Sequence, residues 1–237
     1  MKLLLWNTAW ASPRSSKSEY YKKFATSNEV DLICYTEVMQ GLHPESGHLI
    51  ESNADYGYEN TKGKRKVSLW SSSPWEQVDD LGSEHLPGGR FISGISHGIR
   101  FVGVCIPWKD AHVRSGRKDR EVWEDHISYL AALKDIVNGY LKENYSVCIL
   151  GDYNQRIPRN RQPEHIYNQL YDLLSPDFET STSGILDPSG KLLIDHISTA
   201  RGLAVNIKAI HPKKSENGLN LSDHVGIVAE LTYSKGD

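Results

Sequence analysis

The chain has 237 residues, of which 38% are hydrophobic and 24% are charged, and its formal net charge is −3. These values are typical of a globular protein, and no apolar stretch approaches the length of a membrane-spanning helix. The negative net charge excludes a general attraction to polyanions, so a nucleic-acid surface would have to be a local basic patch.

The start of the chain and its cysteines indicate the setting that we expect. The apolar first residues reach a polar residue, Asn7, too soon for a signal peptide. Cys34, Cys105 and Cys148 lack the spacing of metal ligands, and each lies in an apolar run, which predicts reduced core residues. We therefore expect a cytoplasmic protein that folds as one domain over residues 1–237, and we favour a monomer.

The first part of the chain predicts a β-α-β unit with polar side chains at its strand ends. Residues 3–6 and 30–35 have strand patterns, and residues 18–27 between them have a helical pattern. The first strand ends at Asn7 and the second runs into Glu37, so we expect an amide and a carboxylate on one rim of the sheet. Taken alone, Glu37 is better explained as a solvated strand end.

The middle of the chain predicts neighbouring antiparallel strands. Alternating patterns cover residues 66–71, 91–95 and 100–106, with glycine or proline between them. The turn before the second of these strands ends in Arg90, whose guanidinium geometry suits a phosphate. An ordinary surface arginine after a turn is the alternative interpretation.

A basic loop at residues 107–120 follows the last of these strands, and residues 121–141 then have the pattern of an amphipathic helix. Such a loop is either a solvated segment or an edge that tracks phosphates and stacks bases. The residues of the loop that would contact a nucleic acid are Trp108, Lys109, Arg114 and Arg117.

Residues 146–150 form a nearly all-apolar run that predicts a strand covered on both faces. It ends in the sequence Gly-Asp-Tyr-Asn, which contains Asp152 and Asn154 and which by itself is compatible with simple turn chemistry. A second basic cluster follows, which consists of Arg156, Arg159 and Arg161, and residues 163–174 predict a short helix.

The last third of the chain predicts three more strands with polar termini. Residues 192–194 lead into Asp195, and a buried carboxylate there needs a histidine or a hydrogen-bond donor as its partner. The adjacent His196 points the other way in a strand, so we interpret it as a structural or rim residue. Residues 205–210 predict another strand. Near the end, Asp223 and His224 stand at the mouth of the final strand, where an imidazole can change charge near neutral pH.

Taken together and in this order, these motifs resemble the endonuclease/exonuclease/phosphatase superfamily, which includes deoxyribonuclease-I-like enzymes and abasic-site endonucleases. The resemblance covers nearly the whole chain. It implies an α/β fold, a four-layered α/β sandwich in which two facing, mostly antiparallel β-sheets are flanked by helices. The functional site is then expected where the loops of the two sheets meet.

The resemblance also implies a metal site. Glu37 matches the metal-binding glutamate of the superfamily and would bind Mg²⁺, with Mn²⁺ as an alternative ion. Asn7 would position the ion or a phosphate oxygen beside it, and Asp223 would support the metal side. A hard cation prefers oxygen ligands and keeps several waters, so a single glutamate is enough.

Catalytic roles follow from the same resemblance. His224 would activate the attacking water or steady the phosphate, while Asp195 holds its imidazole in one tautomer. Asp152 and Asn154 match residues that position the nucleophile or serve the leaving group. Two departures concern the substrate side: Ala9 stands where many relatives have a polar residue, and Cys105 lies in a segment where nucleases of the family often have Tyr or His.

The function that we expect is a Mg²⁺-dependent phosphodiester hydrolase, a nuclease acting on DNA or RNA. A phosphatase or phosphodiesterase for a nucleotide or a lipid-derived substrate is one alternative, and a nucleic-acid-binding module without turnover is another, because a fold does not fix a function. The residues expected to bind the substrate are Arg90, Trp108, Lys109, Arg114, Arg117, Arg156 and Arg159.

Overall fold

A computed structural model describes residues 1–59, 62–200 and 202–233 of the chain. In these ranges the helices are α1 (Ser16–Ser27), α2 (Glu124–Tyr140) and α3 (Glu164–Leu174). The strands are β1 (Lys2–Asn7), β2 (Leu32–Met39), β3 (His48–Glu51), β4 (Lys64–Ser71), β5 (Glu76–Asp79), β6 (Phe91–Ser96), β7 (Ile99–Cys105), β8 (Ser146–Asp152), β9 (Glu179–Thr180), β10 (Asp195–Thr199), β11 (Leu203–His211) and β12 (Gly226–Tyr233).

The strands form two six-stranded sheets. The first has the order β11-β12-β1-β2-β4-β3 and the second β5-β6-β7-β8-β10-β9. Each sheet contains one parallel pair, β1 with β2 and β7 with β8, and the remaining pairs are antiparallel. A parallel pair needs a crossover connection, and helices α1 and α2 supply the two crossovers. The predicted β-α-β opening and the mostly antiparallel sheets are confirmed.

Three apolar layers hold the elements together. Leu3 and Leu5 of β1 point between the sheets and pack with Phe101 and Leu150 of the second sheet. The alternate residues of β1 point outward and pack under α1. Helices α2 and α3 cover the outer face of the second sheet with a separate apolar cluster. The order helix, sheet, sheet, helix confirms the predicted four-layered sandwich.

Helix α2 begins three residues later than the sequence predicts. Trp123 has a φ of 73°, which is left-handed and incompatible with a helical turn. Its backbone N–H donates to the carbonyl of Lys109 at 2.8 Å, so the contact with the preceding loop fixes this conformation. The buried stripe of the helix includes Leu130, Leu133 and Val137, as its periodicity predicts.

Two strand boundaries also differ from the prediction, and both concern acidic residues. Asp195 is the first residue of β10 and does not follow a strand, because residues 192–194 lie outside the named strands. Glu37 lies inside β2, with a φ of 46°, and does not follow its end. Both carboxylates are therefore held by strand backbone at one end of the sandwich.

Among the described residues, none of the helices combines the length and the apolar character that crossing a bilayer requires. The three cysteines are buried and free, as predicted. The prediction of one domain over residues 1–237 extends beyond the described ranges, and it stays a prediction.

Candidate active site

A cavity of about 160 Å³ opens at the end of the sandwich where strands β1, β2, β7 and β8 terminate. It lies between the two sheets' ends, so side chains from distant parts of the chain border it. Its lining residues are Asn7, Glu37, Lys66, Arg90, Cys105, Trp108, Asp152, Asn154 and His224. A larger cavity of about 360 Å³, bordered by Leu170, Tyr171 and Phe178, is lined by no acid, histidine, lysine or arginine. The charged and polar lining of the cavity of about 160 Å³ makes it the candidate site, and we call it the central cavity.

An acid and an imidazole pair across the two sheets at this cavity. The Nδ1 atom of His224, which precedes β12, lies 2.7 Å from Oδ2 of Asp195 at the start of β10. Burial by itself lowers the pKa of His224, but the charge and hydrogen bond of Asp195 outweigh burial, and the pKa is raised to about 10. The ring is therefore a part-buried cation at neutral pH, oriented by a carboxylate that is only 2% exposed.

Asp152 is the second buried carboxylate of the site. It lies directly opposite Asp195 in the antiparallel pair of β8 and β10. Its Oδ2 accepts a hydrogen bond from Nδ2 of Asn7 at 3.2 Å, and its Oδ1 accepts one from the backbone of Asn154 at 2.9 Å. Burial, followed by the charge of Asp195, raises the pKa of Asp152 to about 7. Its proton affinity is thus matched to neutral pH.

Glu37 borders the same cavity but is already engaged by a cation. Its Oε1 lies 2.6 Å from the Nζ atom of Lys66. The Glu37 carbonyl accepts hydrogen bonds from the Thr8 side chain and the Trp10 backbone, at 2.9 and 2.7 Å. These bonds join the segment after β1 to β2, and they hold Glu37 beside Asn7 at the mouth of the cavity.

The donor set of the cavity fits a hard divalent cation. The oxygen atoms of Glu37 and Asn7 are the ligand type that such a cation prefers. Ligand atoms of Asp152, Asp195 and His224 also lie within 4.8 Å of one another. An imidazolium is not a metal ligand, so in this group the two carboxylates are the atoms available to an ion while His224 is protonated. Two carboxylates directly opposite each other on paired strands repel, and a nearby cation relieves that repulsion.

Asp223 does not border the cavity that Glu37 lines. It is exposed and borders a smaller cavity of about 80 Å³ on the other side of Asp195 and His224. The structure therefore separates the two predicted acidic metal ligands, and the metal role of Asp223 stays a prediction.

Arg90 is not a surface arginine, although it follows a turn. It is 2% exposed, and its backbone carbonyl accepts hydrogen bonds from the Cys105 backbone and the Tyr129 hydroxyl. One guanidinium nitrogen, Nη1, lies 3.5 Å from the Cys105 carbonyl, whereas Nη2 has no hydrogen-bond partner among the described residues. Arg90 thus lines the cavity as a buried residue, and one of its guanidinium donors lacks a hydrogen-bond partner among the described residues.

The other predicted substrate residues separate into two groups. Trp108 stands at the cavity with its side chain 45% exposed. Arg156 borders the cavity of about 80 Å³ that Asp223 also lines. The remaining residues lie outside both cavities, and they are Lys109, Arg114, Arg117 and Arg159.

Each residue of this outer group has its own surroundings. The ammonium of Lys109 pairs with Asp110. Arg114 is exposed, and Arg117 borders a separate surface cavity. Nη1 of Arg159 lies 3.5 Å from the carbonyl of Gln162. A substrate confined to the central cavity would not meet these side chains.

Lys66 is the residue of the site that sequence reasoning missed. It lies in an alternating strand pattern next to two other basic residues, Lys64 and Arg65, and nothing in that pattern distinguishes Lys66 from them. The register of β2 against β4 puts Val67 opposite Thr36 and Arg65 opposite Val38, so Lys66 faces Glu37. The register of the two strands is what would have identified Lys66 as a site residue, and the sequence of one strand does not contain it.

His196 has the structural role that its position predicts. It is fully buried, with Nδ1 at 2.9 Å from the Thr182 hydroxyl and Nε2 at 3.0 Å from the carbonyl of Gln155. Burial lowers its pKa to about 4, so the ring is neutral at pH 7. It stands on the face of β10 opposite to that of Asp195.

No model of a protein family matches the sequence, and no curated protein matches it either. Solved structures do match. A 3′ phosphatase from Neisseria bound to a product DNA hairpin is 18% identical and has a TM-score of 0.72, with 98% of this chain and 100% of that chain covered. An AP endonuclease from Archaeoglobus fulgidus is 17% identical with a TM-score of 0.69, covering 97% and 98%.

An endonuclease/exonuclease/phosphatase family protein from Leptotrichia buccalis is 15% identical with a TM-score of 0.61, covering 98% of this chain and 100% of that chain. Sequence identities this low carry information on the fold and leave activity to be argued from the site. The likeness extends over 97% or more of this chain in each of these three structures. The chain therefore has the fold of the endonuclease/exonuclease/phosphatase superfamily, as its motifs predicted.

Proposed function

We propose that the protein is a metal-dependent phosphodiester hydrolase, a nuclease that acts on DNA or RNA. The observation that carries the proposal is the convergence of an oriented imidazolium, His224, with the carboxylates of Asp152 and Glu37 on one cavity. Hydrolysis of a phosphodiester requires a positioned water, a proton acceptor and charge neutralisation at the phosphate. This cavity supplies groups for each requirement.

The residues divide the work according to their charge. Asp152, with a pKa of about 7, accepts the proton of the attacking water. The imidazolium of His224, oriented by Asp195, donates a hydrogen bond to a phosphate oxygen as negative charge develops there. The side-chain amide of Asn154 donates to the Ile106 carbonyl at 2.9 Å, which fixes this residue beside the proton acceptor.

Arg90 supports the same interpretation. Its free Nη2 donor is buried, and a guanidinium in that state is stabilised by an anionic partner. A phosphate oxygen in the cavity provides such a partner.

The ion that we propose is Mg²⁺, with Mn²⁺ as a substitute, held by Glu37 and Asn7. When bound, it supplies Lewis acidity at the phosphate and lowers the free energy of the charged transition state. The preference for Mg²⁺ is supported by the oxygen-rich donor set and the small number of carboxylates that border the cavity.

A nucleic-acid substrate is supported by the exposed indole of Trp108 beside the cavity and by the arginines beyond it. Aromatic side chains stack on bases without regard to sequence, and arginines neutralise backbone phosphates. The Neisseria structure holds a product DNA hairpin, which is a property of that protein and favours the same substrate class here.

The test is a cleavage assay with short DNA and RNA oligonucleotides and a small chromogenic phosphodiester. We expect turnover of at least one oligonucleotide with Mg²⁺ or Mn²⁺, its loss with excess EDTA, and its return when the ion is restored. Full activity in EDTA would overturn the metal-dependent mechanism. Hydrolysis of the small diester without any oligonucleotide cleavage would overturn the nuclease.

A further inference from the structure

Lys66 is buried at the point where the proposed metal site begins. It is 9% exposed and faces Glu37 across the antiparallel pair of β2 and β4. Its Nζ atom lies 2.6 Å from Oε1 of Glu37, which is the length of a short charge-assisted hydrogen bond. One of the two Glu37 carboxylate oxygens is therefore committed to an ammonium group.

Two aromatic rings hold this ammonium in place. The Nζ atom of Lys66 lies 5.0 Å from the ring centre of Trp10 and 5.3 Å from that of Tyr56. The two rings are nearly parallel, with an interplanar angle of 16° and centres 6.0 Å apart. A cation attracted by two ring faces and a carboxylate has few alternative positions. The position of the ammonium is therefore set before any ion or substrate arrives.

The backbone around Trp10 reinforces this arrangement. Ala9 and Trp10 both adopt left-handed backbone conformations, with φ values of 46° and 56°. Non-glycine residues rarely do so, and two in succession require support from their surroundings. Hydrogen bonds from the Ala9 backbone to Asn7 and from the Trp10 backbone to Glu37 provide it. The strained turn thus places the Trp10 ring against Lys66.

We propose that Lys66 is a positioning residue that acts as a resident cation of the metal site. It occupies Oε1 of Glu37, so a divalent ion meets this carboxylate through the other oxygen and binds against the repulsion of the ammonium. The inference rests on the proposed metal-dependent function. Its consequence is an ion held more weakly than the acidic residues alone would hold it.

The charges that line the cavity explain how Lys66 would affect the binding of both the ion and the phosphate. The cations Lys66, Arg90 and His224 line the cavity with the carboxylates of Glu37 and Asp152, and Asp195 pairs with His224. Because the resident cations already offset these acids, an arriving divalent ion leaves the site positive and able to attract a phosphate. Without Lys66, the ion would be neutralised more fully by the acids, so ion binding would tighten and phosphate binding would weaken.

The experiment compares Mn²⁺ binding by calorimetry in the wild-type protein and in Lys66→Met. We expect Lys66→Met to bind Mn²⁺ with a Kd lower by about tenfold or more, because a buried ammonium next to the ion repels it through a medium of low dielectric constant. Inorganic phosphate should bind the Mn²⁺-loaded variant more weakly than it binds the loaded wild type. A residue that only supports the fold would not change the two affinities in opposite directions.

Two variants serve as controls. Lys64→Met removes a charge from the same strand. The Nζ atom of Lys64 also lies near the Trp10 ring, at 5.3 Å from its centre. The variant should leave Mn²⁺ affinity near the wild-type value, because Lys64 does not border the cavity. Lys66→Arg keeps the positive charge, so its affinity for Mn²⁺ should stay near the wild-type value.

The outcomes separate this inference from the proposed function. If wild type binds Mn²⁺, Glu37→Gln abolishes binding, and Lys66→Met binds no more tightly while still folded, the resident cation is wrong and the metal site stands. If wild type binds no Mn²⁺ at all, both proposals are wrong. Circular dichroism and thermal unfolding establish that each variant is folded.

Discussion

Strand β10 begins with an acid and a histidine, and its two faces use them differently. On the cavity face, Asp195 of the second sheet pairs with His224, which precedes strand β12 of the first sheet. On the opposite face, His196 is enclosed between Thr182 and the carbonyl of Gln155. Residues adjacent in sequence thus enter two separate environments, because side chains alternate along a strand.

The difference shows that the spatial partner determines how a histidine behaves. His196 has burial as its main influence, and its pKa falls to about 4. His224 is also mostly buried, yet the adjacent carboxylate of Asp195 reverses the effect and raises its pKa to about 10. One face of β10 therefore carries a charged pair, and the other carries a neutral ring that packs in the interior.

The largest effects are expected on the cavity face. His224→Ala and Asp152→Ala should each lower kcat for an oligonucleotide by at least ~10²-fold, a typical contribution of one acid or base group. The measurement is steady-state cleavage with Mg²⁺. His165→Ala, which removes an exposed histidine on α3, should leave kcat unchanged. Near wild-type rates in both folded cavity variants would show that the reaction takes place elsewhere.

Protonation of His196, on the buried face of β10, should make the free energy of unfolding depend on pH. His196 has a pKa of about 4 in the folded protein and an ordinary value of 6.5 when unfolded. Below pH 6.5 the unfolded chain binds a proton that the folded chain excludes, so stability is complete at pH 7.5 and falls on acidification. At pH 5 the loss from this group is about 2 kcal/mol.

Urea unfolding of wild type and His196→Gln at several pH values tests this. The variant should be less stable than wild type at pH 7.5, because it loses the buried hydrogen-bond geometry, but its stability should decline less between pH 7.5 and pH 5. The other buried histidines titrate equally in both proteins and cancel in the comparison. Parallel pH curves would contradict the assignment to His196.

Arg90 should combine the properties of the two faces, since it is buried and also borders the cavity. Arg90→Met should lower kcat/KM by about tenfold through loss of a charge-assisted hydrogen bond to phosphate. It should not lower the unfolding midpoint, because it removes a buried donor that lacks a partner.

Arg100→Met is the matched control for this variant. Arg100 is equally buried, but its guanidinium bonds Glu143 at 2.9 Å and Gln77 at 2.6 Å. Its replacement should destabilise the fold and leave kcat/KM near the wild-type value. A stability loss for Arg90→Met as large as that for Arg100→Met would assign Arg90 a purely structural role.

The smallest effect at a fixed salt concentration is expected outside both faces, in the exposed basic loops. Each single-strand phosphate contact contributes about −0.7 to the slope of log affinity against log salt. Replacing Arg114, Arg117, Arg159 and Arg161 by alanine should therefore flatten the slope by roughly 2 to 3 units if most of them are contacts. Binding is measured in a His224→Ala background, with hydrolysis of the small chromogenic diester in the otherwise wild-type enzyme as the control.

An unchanged slope in this quadruple variant would identify these arginines as solvated loop charges. The substrate would then be a smaller phosphoester, such as a nucleotide or a lipid-derived molecule. Hydrolysis of the small diester should stay the same in either case, because these side chains lie outside the central cavity.

The sequence by itself determined the fold and the order of the polar groups at the strand ends. Strand and helix patterns are local, so β1, α1, β2 and most of the later strands were predictable within a few residues. The short edge strands β3, β5 and β9 were not predicted. The sequence Gly-Asp-Tyr-Asn at residues 151–154 and the Asp-His at 223–224 follow or precede apolar strands, and this position made them candidate site residues. Their combined order indicated the superfamily whose fold the structure confirms.

Only the tertiary structure decided which of these groups meet. Asn7 and Asp152 are 145 residues apart and Asp195 and His224 are 29 apart, and both pairs form through sheet packing. The facing of Lys66 and Glu37 depends on strand register, which the pattern of one strand does not contain. The burial of Arg90 depends on contacts with β7 and α2, because a turn motif fixes the local backbone but not what packs over the side chain that follows it.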